Sequence, residues 1–138
     1  MFTKILLAAD GSAHSVRAAE KAFELATYNK EAKVEIVYVI DSKHSKDDVI
    51  HNWGGDASDK RKEKVQLIKQ KAKHLGVDYE VVFLHGEPGP AIVDYTNKYP
   101  FDVVVIGSRG LNTLQEMVLG SVSHKVAKRV NCPVLIVK

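Results

Sequence analysis

Residues 4–12 read Lys4-Ile5-Leu6-Leu7-Ala8-Ala9-Asp10-Gly11-Ser12. Five apolar residues follow one another, and the run stops on three turn-forming residues. A strand with one face in water alternates apolar and polar side chains; a strand covered on both faces does not. The run therefore reads as a buried strand of a parallel sheet. A second run of the same kind is Val103-Val104-Val105-Ile106. Between the two, residues 15–28 set Val16, Ala19, Phe23 and Ala26 at helical spacing.

Outward from the first run, strand and helix patterns alternate. Residues 33–40 form a strand rich in Val and Ile, and 41–58 a polar loop containing Gly54-Gly55. Residues 59–75 form a helix with Val65, Ile68, Ala72 and Leu75 toward the core, stopped by Gly76. A strand at 77–84 is followed by a turn-rich stretch and a short helix from Pro90 to Lys98. After the strand at 102–106 comes a loop over 107–120. A helix at 121–129, with Val122, Val126 and Val130 on one side, leads to a last strand at 133–137. Parallel strands joined by right-handed helical crossovers are the common way to bury such a series. The expected fold is an open α/β sheet with helices on both faces, in one domain spanning 1–138.

The composition agrees. With 138 residues, 45% hydrophobic and 27% charged, the chain is an ordinary globular domain. No apolar run approaches the roughly 18 residues of a membrane span. Asp10 follows the start too closely for a signal peptide. The single Cys132 forms no internal disulfide. A cytoplasmic protein is expected. The net charge of +3 is local: seven basic residues (Lys60, Arg61, Lys62, Lys64, Lys69, Lys71, Lys73) crowd one helix. No aromatic residues interleave them as a nucleic-acid platform requires. They read as a solvated face, with neither nucleic acid nor membrane as partner.

In open parallel sheets, ligands bind beyond the carboxyl ends of the strands, where strand order reverses. Two loops carry suitable chemistry: Asp10-Gly11-Ser12 and the stretch from Gly107 to Ser123, GSRGLNTLQEMVLGSVS. Glycines at 107, 110 and 120 let backbone amides approach an anion without a Cβ in the way. Gly120-Ser121 opens a helix, whose free N–H groups and positive dipole end favour negative charge. The same residues also read as a glycine-punctuated loop with an ordinary serine cap.

Gly107, Gly110, Gly120 and Ser121 fit the pattern G-x2-G-x9-G-[ST]. The chain thereby resembles the nucleotide-binding members of the universal stress protein family. The opening ILLAADGS, the strand end Val37-Tyr38-Val39-Ile40, Gly86-Glu87-Pro88 and the ending NCPVLIV are similar to it as well. The resemblance covers nearly the whole chain, least in 41–58. It implies a Rossmann-like sheet in the order 3-2-1-4-5. It also implies that ATP or another adenine nucleotide binds with Mg2+. Asp10 is then expected near the ribose and phosphates, where it can help hold Mg2+, and the Val39 backbone near the adenine edge. Gly107, Ser108, Arg109, Gly110, Gly120, Ser121, Val122 and Ser123 line the phosphate path, and the small Ala8 and Ala9 let the ligand rest on the strand end. Arg109 pairs with phosphate, or points to solvent or to a partner subunit.

Other motifs are absent. There is no Walker A sequence, no G-x-G-x-x-G after the first strand and no paired metal-ligand spacing among the histidines. Ser12 and His14 have no nucleophile elbow around them. His124 reads as surface or packing, Cys132 as a buried thiol, Trp53 as packing or a lid, and Asp10 also as a turn former. No catalytic set is identified, so binding with at most slow hydrolysis is expected. The last strand opens on Pro133 and ends on Val137; as an apolar edge it suits antiparallel pairing in a homodimer. The function this implies is a dimeric, ATP-binding stress sensor or regulator. The alternatives are a weak ATPase or phosphotransferase, or a nucleotide-free docking module.

Overall fold

Both apolar runs are interior strands. The computed structural model of the chain describes residues 2–40, 56–109 and 120–138. In chain order the elements are β1 (Lys4–Ala9), α1 (Ala13–Thr27), β2 (Lys33–Ile40), α2 (Asp56–His74) and β3 (Asp78–His85). They continue with α3 (Pro88–Lys98), β4 (Val103–Gly107), α4 (Ser121–Arg129) and β5 (Val134–Val137). All strand pairs are parallel, and the sheet order is β3-β2-β1-β4-β5. From β1 the chain builds outward to β2 and β3, then returns to the other side of β1 with β4 and β5. Strand order reverses between β1 and β4.

Right-handed crossovers on a sheet wound in both directions put helices on both faces. The core divides accordingly. Ile5 and Leu7 of β1 join Ala19, Phe23 and Ile68 from α1 and α2. Leu6 and Ala8 turn the other way and join Ile92, Val93 and Val126 from α3 and α4. Ile5, Leu6 and Leu7 are all 0% exposed, which explains why this strand shows no alternation. Burying each such side chain contributes on the order of 1.5–3 kcal/mol. Edge strand β3 instead alternates exposed and half-buried residues along much of its length.

Three local differences from the sequence reading have physical causes. Leu75 does not enter the core; it is 49% exposed. The α2 helix ends at His74 and the chain turns through Gly76 at φ +69°, so Val77 fills the buried position instead. The α3 helix starts at Pro88 rather than Pro90, because prolines in a first turn remove amides that have no helical partner anyway. The α1 helix starts at Ala13, two residues early, because Ser12 caps it.

At the amino ends of the strands, Asp102 fastens β1 to β4. Its Oδ2 accepts from Thr3 N (3.0 Å), Thr3 Oγ1 (2.9 Å) and Lys4 N (2.9 Å). These bonds to Lys4 and Thr3 hold the carboxyl below the usual carboxylate range.

Candidate functional site

The pairing of Ala8 with Ile106 sets the carboxyl ends of β1 and β4 side by side. One residue further on each strand are Ala9 and Gly107, and neighbouring strands lie about 4.8 Å apart. The Asp10 turn and the start of the Gly107 to Ser123 segment therefore share one end of the sheet.

At the β1 tip, Asp10 is exposed and its Oδ1 accepts from Ser12 N at 2.9 Å. This closes a turn that needs Gly11 at φ +79°, a conformation costly for any residue with a Cβ. Ser12 then caps α1: its Oγ accepts from Ser15 N at 3.2 Å, and its carbonyl from Ser15 Oγ at 2.8 Å. Asp10 is thus a turn former, and the cap is Ser12.

At the β4 tip, the backbone of one residue joins three elements. Ser108 N donates to Val137 O at 2.8 Å, and Ser108 O accepts from Gly120 N at 2.8 Å. The second bond draws the start of α4 back onto the end of β4. Ser123 Oγ reinforces it, donating to Gly107 O at 2.6 Å. The four predicted residues Gly107, Ser108, Gly120 and Ser123 are therefore in direct contact. Two of them have structural duties that their spacing did not reveal. The Ser108 amide is committed to β5, and the buried Ser123 hydroxyl proton to Gly107.

What remains open is the first turn of α4. Gly120 occupies the N-cap position, and among the described residues no side chain caps the helix. The first helical bond runs from His124 N to Gly120 O at 2.9 Å. The amides of Ser121, Val122 and Ser123 precede it, and such amides have no partner within a helix. Ser121 is exposed beside them and Val122 is half-buried. Of the helices that start at the β1 and β4 tips, α1 has a side-chain cap and α4 has none among the described residues.

Gly107 is buried, and its missing Cβ makes room for a helix. A Cβ there would lie 3.1 Å from His14 Cβ and 3.1 Å from His14 O. His14, in the first turn of α1, contacts Arg17 Nη2 through Nδ1, and Arg17 Nε donates to Lys138 O at 3.4 Å. Burial, then the Arg17 and Arg109 guanidiniums, lower the His14 pKa, and Asp10 opposes them. Half-buried Arg109 thus belongs to a positive rim with Arg17 around a histidine held toward its neutral form.

Val39 is half-buried near the end of β2, on the α3 and α4 face. Its neighbour Tyr38 faces α1 and α2, in register with Ala9. Tyr38, His14 and Arg17 were missed by sequence reasoning; strand alternation marks Tyr38 as inward-facing but not as lying over Ala9. Cys132 is half-buried rather than buried as expected, because it packs only against the margin of the α3 and α4 core; partial burial pushes its thiol up. His124 is exposed. Gly110 and Trp53 lie outside the described residues. Among the described residues there is no cluster of His, Cys, Asp or Glu fit to hold a metal ion by itself, and no helix is long and apolar enough to cross a membrane.

Comparison with known proteins gives one consistent answer. The sequence model of the Universal stress protein family matches residues 1–138. Universal stress protein YxiE of Bacillus subtilis is 35% identical over 149 aligned positions that cover all of both chains. The solved structure of the MJ0577 protein, from Methanocaldococcus jannaschii, superposes with a TM-score of 0.80 at 28% identity. That match covers 100% of this chain and 96% of the other. A universal stress protein solved in complex with cAMP superposes with a TM-score of 0.71 at 27% identity, over 99% and 96% of the two chains.

Proposed function

Because the chain belongs to the universal stress protein family, we propose that its β1–β4 crevice binds an adenine nucleotide, with ATP as the reference ligand. The observation that carries this reading is the uncapped first turn of α4, tied to the β4 tip by the Gly120–Ser108 bond. The amides of Ser121, Val122 and Ser123 and the Ser121 hydroxyl take the phosphates. Arg109 adds charge from the rim. Ala9 offers a small surface for the sugar, and Val39 offers backbone groups to the base. The cAMP bound to the family member above supports an adenylate as the ligand class.

Mg2+ carried in by the nucleotide supplies charge neutralisation of the phosphates. The exposed Asp10 carboxylate suits that role, since one of its oxygens is already held by Ser12 N and the side chain is pre-oriented. Gly107, Ser108 and the Ser123 hydroxyl build the cradle, and the Ser123 amide remains for the ligand. Binding is then the activity, with at most slow hydrolysis, and the product is a nucleotide-dependent change of surface in a stress regulator.

Ser121→Glu is the decisive variant. A carboxylate at the first position of α4 stabilises the helix by about 0.3–1 kcal/mol through its dipole, yet occupies and repels the phosphate position. Calorimetry should show ATP affinity falling at least about thirtyfold while the thermal midpoint is unchanged or higher. Equal affinity in both proteins would refute the reading. Steady phosphate release by the wild type, lost in Asp10→Ala, would favour an ATPase instead.

A further inference from the structure

Tyr38 stands third from the end of β2, paired with Ala9 of β1 on one side and Phe83 of β3 on the other. It is 8% exposed, and its Oη has no hydrogen-bond partner among the described residues. Buried polar groups almost always find partners, and an exception calls for a reason. Packing does not provide one, since a phenylalanine would fill the same space without an orphaned hydroxyl. Position does. The register with Ala9 sets the phenol beside the β1 tip, where the Asp10 carboxylate acts on it electrostatically.

We propose that Tyr38 is a ligand-reading residue of the crevice, whose hydroxyl hydrogen-bonds the nucleoside half of a bound adenine nucleotide. This inference rests on the nucleotide reading above and adds to it the group that distinguishes a nucleotide from a bare polyphosphate. β2 and β4 are two strand spacings apart, about 10 Å. That separation suits a ligand whose phosphates lie at the start of α4 and whose sugar and base reach toward β2. A phenol both donates and accepts, so it can serve a ribose hydroxyl or a ring nitrogen. The Phe83 ring stacks on Tyr38 at a centroid distance of 5.8 Å and an interplanar angle of 27°, while Phe83 is 53% exposed. It is the part of the cover that turns aside when the ligand enters.

Wild type and Tyr38→Phe are compared by calorimetry with ATP and with tripolyphosphate, and by thermal melting without ligand. The variant should melt at the same temperature or higher, since it loses an unsatisfied hydroxyl. Its ATP affinity should fall about 5- to 20-fold, with tripolyphosphate affinity unchanged. Undiminished ATP affinity in the variant overturns the role of Tyr38 and leaves the nucleotide reading standing. An equal loss for tripolyphosphate also overturns it, because the effect would then not be confined to the nucleoside. Absence of any ATP binding by the wild type overturns the nucleotide reading itself, and this inference with it.

Discussion

A methyl group on Gly107 would press on both the side chain and the carbonyl of His14 at 3.1 Å. Such distances are tighter than packed carbon atoms tolerate without displacement. Gly107→Ala should therefore destabilise the protein by about 1–3 kcal/mol, read as a lower urea midpoint at unchanged slope. It should do so with or without nucleotide, because the clash is with α1. The spacing of Gly107, Gly110 and Gly120 was legible in the sequence, and the structure brings Gly107 and Gly120 to one strand tip. What was not legible is which neighbour requires the missing side chain. That depends on α1 lying across the end of β4, a contact between residues 93 positions apart. The same holds for Ser123, whose hydroxyl reads as a phosphate ligand but donates to Gly107 O.

Between elements, the Asp102 carboxylate gathers three hydrogen bonds at the amino ends of β1 and β4. Its pKa is lower in the folded chain than in an unfolded one. Its contribution to stability is thus complete above the ordinary carboxylate range and disappears as pH falls through the folded value. Asp102→Asn should cost about 1–2 kcal/mol near neutral pH and nearly nothing once the wild-type carboxyl is protonated. Denaturation of both proteins as pH is lowered from neutrality checks the statement: the difference between them should shrink as pH falls below the ordinary carboxylate range. Element positions were largely readable from periodicity. β1, β2 and α4 begin and end where their patterns do, whereas α2 carries Leu75 in phase with its apolar face but stops one residue short of it. A helical repeat records phase, not length, and Gly76 sets the length.

For the molecule as a whole, alternating strands and helices establish a parallel sheet but not the order of its strands. Periodicity is the same in any order; the order was legible only through the glycine motif and the resemblance attached to it. That order makes β5 an edge, with Leu135 38% exposed. Symmetric pairing of two β5 strands follows as a proposal. Leu135→Arg would set like charges together across the two-fold axis and should convert dimer to monomer. Light scattering after gel filtration reads the mass, and a monomeric wild type would dispose of the pairing.

Ser108 is held through both of its backbone polar groups, its N–H by Val137 O and its carbonyl by Gly120 N. It works as a turnbuckle between the outermost strand and the mouth of the last helix. A backbone rearrangement at this one residue would disturb both lines, so the outer margin of the sheet and the start of α4 are adjusted together.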